Sequence, residues 1–474
     1  MKRRKKMKRE SYCKIRRVEM LLLIMLIFFF FGMSANPVWA YGNDLRLSGY
    51  VKNSSSWVIS EGNANDLLKC VNILQLEPEY YFRDNIKFYG IFRAYYDAVF
   101  DLEKNGWADN FKFKKEIRTN NANTTSDAIR ELYAEIRWKK LFMRFGKQQV
   151  AWGKAIGSKM LDVVNPQDMR ELNQLDFEDS RIPLLTANFI YTTPWKGSSI
   201  QLLLIPDIES HYVPPAGYPF SPSAINSLQQ LLDAGIVNVE RSATSGIRVP
   251  QNLENMEIGV KWYQNLVDFE YSLNYFYHWS DLPGMYFNSF GPGGVLNYDL
   301  KFHRFHTLGG SFTNYFHHFF VFEDTILRGE LAIHLNDRVS RTDPVDPLGT
   351  KMVNADSFNY LLALDMWPIT NYYLTIQFFQ FICMNYHSDY LLDAVDNTIS
   401  VYFSTDFFAE QIMPNLLLAY SDDGAFWFRA RCKYKHSDVW SFHIGTNLYF
   451  GGRNTKIGQF GDVDNIFAEV KYAF

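Results

Sequence analysis

Cysteine is scarce in this 474-residue sequence, with only Cys13, Cys70, Cys383 and Cys432. Three of these follow the N-terminal segment and cannot pair completely, so no disulfide framework holds the fold together. Beyond residue 31 no apolar stretch approaches the ~18–20 residues that a spanning helix needs, which excludes a bundle of membrane helices. There is no Gly-x-Ser-x-Gly elbow and no His-Glu-x-x-His zinc helix, so the common soluble hydrolase patterns are missing and no cofactor is expected. An excess of basic residues is missing as well. Residues 1–40 hold ten of the 48 Lys+Arg and two of the 51 Asp+Glu, which leaves 38 against 49, or −11, for the remainder. That balance excludes a nucleic-acid partner and is compatible with a cation-tolerant aqueous channel.

The N-terminus carries the pattern of an export signal. Basic residues from Lys2 to Arg17 precede the apolar run Met20–Phe31, and Val38-Trp39-Ala40 offers a small-residue cleavage site. Twelve apolar residues are too few to span a bilayer as an uncleaved anchor. We expect cleavage after Ala40, a mature chain that starts at Tyr41, and a barrel domain over 41–474.

What is abundant is aromatic: 40 Phe and 29 Tyr within a mean hydropathy of only −0.20. Strands that alternate lipid-facing and water-facing side chains reconcile the two. In the run 86–98, Ile86, Phe88, Gly90, Phe92, Ala94, Tyr96 and Ala98 share one face, while Lys87, Arg93 and Asp97 share the other. Runs of 12 to 15 residues exceed the ~5–6 usual in soluble sandwiches. Short connections are read at 83–85, 139–140, 194–197, 264–265, 368–370 and 413–415. Long ones fall at 101–127, 150–183, 207–252, 281–296, 336–355 and 451–464. The fold class is therefore all-β: a transmembrane, antiparallel up-and-down barrel of 16–18 strands, short turns at the periplasmic rim and long loops outside. The stretches 298–335 and 415–450 parse ambiguously, which leaves the count between 16 and 18.

The last strand alternates Ile466, Ala468, Val470, Tyr472 and Phe474 and stops on the aromatic ring. Val470, Tyr472 and Phe474 are the expected assembly signal, read by the barrel-assembly machinery in an outer membrane of lipid and lipopolysaccharide. Trp262, Trp279, Trp367 and Trp440 are expected as interfacial girdles. His303, His306, His317 and His318 alternate in direction and suit turns or interfaces better than a metal site.

One segment, 150–183, does not read as strand. It is dense in charge and turn residues, and we expect it to cover the mouth or fold into the lumen as a loop or plug. Lys154, Asp162, Asp168, Arg170, Glu171, Asp179 and Arg181 are its candidates for setting which solutes pass, or for bracing the loop through mutual pairs.

The run WGKAIGSKMLDVVNPQDMREL followed by EDSRIPL resembles the signature of an uncharacterised proteobacterial outer-membrane family, domain of unknown function 1302. Arg328-Gly329-Glu330-Leu331-Ala332 and the ending Tyr472-Ala473-Phe474 resemble it too, and the likeness spans roughly 43–474. Ile156 and Ser158 depart from the pattern, where acidic residues or glycine are commoner. The resemblance implies a barrel in the outer membrane and, for some members, genes adjacent to RND-type exporters of hydrophobic compounds, with no agreed substrate. The expectation is a porin-like channel for small or hydrophobic solutes and not an enzyme. A membrane-embedded hydrolase and a non-conducting scaffold for an exporter or surface partner stay open.

Overall fold

A computed structural model describes residues 44–60, 66–102, 128–156, 159–172, 174–240, 249, 251–319, 322–343 and 346–474. The expected export signal and Tyr41 lie outside them, as do 103–127 of the first long connection. Among the described residues, eighteen strands form one sheet in which every neighbour is antiparallel. The sheet closes on itself. Strand Leu45–Val58 pairs on one side with Leu67–Arg83 and on the other with Asn465–Ala473. Gly49 and Phe474 exchange backbone hydrogen bonds at 2.9 Å in both directions, which carries the seam to the last residue. Closure leaves no unpaired strand edge, the condition for a sheet to sit in hydrocarbon.

Connections are short at one rim: 84–85, 139–140, 193–197, 266–268, 370–371, 406–411 and 436–439. At the other rim lie 149–183, 206–256, 280–303, 336–356, 384–394 and 451–464. Two small sheets sit in these long connections, one of three strands and one of two. The count resolves to 18 because 298–335 contains Arg304–Phe319 and Phe322–Leu335, and 412–450 contains three strands.

The two faces separate as the alternation requires. Gln75, Arg93, Glu135 and Glu330 point inward, while Leu74, Phe88, Leu132, Leu273, Leu308 and Leu331 form part of an exposed apolar belt. Val470, Tyr472 and Phe474 share the outer face, with the Trp440 ring 4.9 Å from that of Tyr472. Cys70, Cys383 and Cys432 are free thiols.

Several expected boundaries move. The turn placed at 413–415 is strand: Ile412–Ser421 runs through Pro414, and the true turn is 406–411, where Phe408, Ala409 and Glu410 adopt positive φ. Proline is tolerated because ladder pairing with Val395–Thr405 begins only at Asn415, so its missing N–H falls at a strand end. The turn read at 264–265 slides to 266–268, and 368–370 to 370–371. His317 and His318 belong to strand Arg304–Phe319. Trp367 packs at 5.2 Å on Tyr373, an inward residue by register, so it serves the lumen side and not an outer girdle.

The terminal seam predicts that Phe474→Asp lowers the folded fraction, since a charge on the lipid face costs up to ~2–4 kcal/mol near the midplane and less toward an interface. Phe474→Tyr should keep it. Heat-modifiable migration on gels measures both; equal folded fractions in the Asp and Tyr variants would refute the role.

Candidate functional site

The site is built from the connection 149–183 between strands Leu141–Gln148 and Leu184–Thr192. It leaves the long-loop rim and enters the lumen. Lys154 Nζ bonds Glu270, the second residue of Phe269–Trp279 and close to the short-turn rim, and lies 3.1 Å from Thr313 Oγ1. The Lys154 amide donates to Glu330, and its carbonyl accepts from Arg328, itself paired bidentately with Asp365 at 2.6 and 2.7 Å. Gln377 accepts from Ile156 N at 2.9 Å and donates to Ile156 O at 2.6 Å. These wall residues act as a strand partner for a segment that has no ladder of its own.

Apolar anchors complete the docking. Trp152 is buried with Val164, Leu184, Leu203, Ile205 and Phe276, and its Nε1 donates to Gln201 Oε1 at 2.9 Å. Leu161 is fully buried against Ala332, Leu361 and Ala363. It fits because the facing wall residue is Gly309: a Cβ there would collide with Leu161 Cδ1. Wall and segment are shaped to each other.

The seven expected charges divide between two duties. Inside the segment, Arg181 Nε donates to Asp162 Oδ2 at 2.7 Å, with Lys159 3.7 Å from the same oxygen, and Arg170 is bidentate on Asp168. Toward the wall, Lys154 reaches Glu270, Glu171 reaches Lys69, and Asp179 meets Arg93 at 2.7 Å and Lys52 at 3.6 Å. Burial opposes ionisation of Asp179, but the Arg93 and Lys52 charges prevail and hold its carboxyl well below the usual carboxylate range. Burial pushes the Lys159 ammonium down to about 8, against the attraction of Asp162. The neighbouring connection is tied in as well: Tyr212 N donates to Gln167 O at 2.9 Å, and Gln167 N donates to His211 Nδ1 at 3.0 Å. Burial and then Lys159 keep His211 near 4, hence neutral and able to accept.

Sequence reasoning missed the anchors Trp152 and Leu161 and every wall partner. It also missed what faces the segment across the remaining space. A cavity of about 210 Å³ lies between the segment and the wall formed by strands Leu45–Val58, Leu67–Arg83, Phe426–Lys435 and Asn465–Ala473. Nine Lys or Arg and five Asp or Glu line it, so its sign is opposite to the net charge of −11 over residues 41–474. Alternation within Phe426–Lys435 could have flagged Arg429, Arg431 and Lys433 on one face; the pairing of Lys52 with Lys471 has no local signal. Among the described residues no group of three or more His, Cys, Asp or Glu could hold a metal ion.

Because Leu161 and Gly309 fit tightly, Leu161→Ala should weaken docking by ~2–5 kcal/mol, and Gly309→Leu should displace the segment while the ring of strands persists. Limited proteolysis of the folded barrel should then cut within 149–183. Wild-type resistance in both variants would refute the seat.

Among curated proteins no match to this chain is found. Among solved structures the chain is similar to Pseudomonas aeruginosa OccK9 (OpdG), at 7% identity and TM-score 0.50 over 91% of this chain and 98% of that one. Acinetobacter baumannii OccAB4 is similar at 7% identity and TM-score 0.50, over 92% and 99%. OccAB1 of the same organism gives 9% and 0.50, over 91% and 96%. At such identities the likeness is one of fold alone. Residues 64–358, more than half of the chain, match the family model described as protein of unknown function (DUF1302), and the chain belongs to that family.

Proposed function

We propose that this protein is an outer-membrane channel, exported by its N-terminal signal, whose pathway is narrowed by the segment 149–183. The observation that carries the reading is the combination of a closed 18-stranded ring with a segment docked across its lumen. A ring of this size is wide enough to leave an aqueous channel. In this reading the docked segment closes most of that space and leaves the charged cavity of about 210 Å³ as the open side. Lys154, Asp162 and Arg181 hold the constriction in place, while Asp168, Arg170, Glu171 and Asp179 face the passing solute. Charges buried as pairs bring little net stability, so their service is to fix the position of the segment. Val470, Tyr472 and Phe474 present the outer surface that the assembly machinery reads.

Planar-bilayer recording tests the proposal. The refolded protein should show discrete single-channel steps, and deletion of 155–176 should enlarge them several-fold because the constriction leaves with the segment. Absence of steps from heat-modifiable, folded protein would refute the channel and favour a scaffold; lipid or peptide turnover by the same preparation would favour a hydrolase. N-terminal sequencing of outer-membrane fractions should begin at Tyr41.

A further inference from the structure

The cavity beside the docked segment has a face rich in positive charge, nine bases to five acids, of which Lys52 is shared between Asp179 at 3.6 Å and Glu469 at 3.7 Å. Lys52 and Lys471 stand directly opposite each other on paired strands, an arrangement that destabilises a sheet. Arg429 and Arg431 project from one face of Phe426–Lys435. The acids of the cavity are largely taken: Asp168 by Arg170, Glu171 by Lys69, and Asp179 by Arg93 and Lys52. Arg431 is engaged weakly, 3.4 Å from Asp176 and 4.0 Å from Glu469, and otherwise donates to His443 Nδ1 at 3.1 Å. Among the described residues Arg429 makes no hydrogen bond or ion pair within 4 Å, its Nε is buried without a hydrogen-bond partner, and its guanidinium lies 5.4 Å from the centre of the Trp427 ring.

An apolar surface lies beside these two guanidinium groups. Arg431, Gly445 and Phe467 stand in one row across three strands. The middle residue has no side chain, and the Phe467 ring leans over it, where a Cβ would strike ring carbons. That brings the ring toward the arginines. Leu175 of the docked segment lines the same cavity. Its volume is below the ~300–1,000 Å³ of pockets for drug-sized ligands, which sets the size of what fits.

We propose that this cavity is a binding site, on the channel's pathway, for a small monoanionic solute with an apolar tail, its acid group held by Arg429 and Arg431 and its tail laid on Phe467. The arginine fork matches a carboxylate geometrically. The inference rests on the channel reading for its place in transport, but the site itself can be tested without conduction.

Hexanoate is the probe and hexan-1-ol its neutral counterpart. Titration calorimetry on the detergent-refolded protein should show hexanoate binding, at least tenfold weaker for the alcohol and at least tenfold weaker in R429Q/R431Q. Phe467→Ala should weaken hexanoate several-fold while leaving acetate unchanged. In a salt gradient the wild-type reversal potential should indicate preference for chloride over potassium, and R429Q/R431Q should move it toward cation preference. Heat-modifiable migration confirms that each variant is folded. Equal binding of acid and alcohol, or hexanoate binding unaltered by loss of both arginines, would overturn the site. Silent bilayers with arginine-dependent hexanoate binding would instead overturn the channel and leave the site standing.

Discussion

Every peptide group in hydrocarbon must find its hydrogen-bond partner inside the protein, because no water is there to take its place. A sheet meets that demand only by closing, and here closure joins the two most distant strands of the chain, Leu45–Val58 and Asn465–Ala473. Each further feature follows from the ring. Its outer face must be apolar at every second residue, which is why Leu74, Phe88, Leu273 and Leu308 stay exposed without forming a core. Its inner face is left polar and too wide for side chains alone to fill. The chain meets the second condition with a long connection folded inward, so that two buried apolar clusters form between wall and segment.

Docking a segment inside a polar lumen is a matter of direction more than of net energy. Burying Asp162, Arg181 and Asp179 costs desolvation that their ion pairs roughly offset. The favourable surplus comes from Trp152 and Leu161, whose seats are shaped by small wall residues, and from backbone groups of Lys154 and Ile156 bonded to Glu330 and Gln377. Charges and carbonyls choose one pose, and apolar packing holds it. A segment anchored at both ends and in the middle behaves as part of the wall, which suits a constriction of constant shape.

The ring was largely legible in the sequence because its signals are local. Period-two alternation in 86–98 shows which face each residue takes, and the aromatic ending at Phe474 marks the closing strand. Pro414 misled the parse because a proline reads as a turn unless the partner strand is known to have ended already, and that knowledge is non-local. The charged segment could be picked out by composition, but not its partners. Nothing near Lys154 in sequence points to Glu270 or Glu330, which lie more than a hundred residues on.

Net charge was the least informative signal, and the reason is geometric. Residues 41–474 carry −11, yet the cavity beside the segment is lined by nine bases and five acids. A summed charge describes the field far from the molecule, whereas a passing solute within a narrow lumen meets only the groups a few ångströms away, less screened than in open water. The register decides which groups those are: it sets Lys52 against Lys471 and places Arg429 and Arg431 on the inward face, while many of the acids, such as Asp268, Asp422 and Asp438, sit on exposed connections. In the channel proposed above, selectivity would be set by strand register and by the docking of one connection, and a one-residue slip of Phe426–Lys435 would turn both arginines to the outer face.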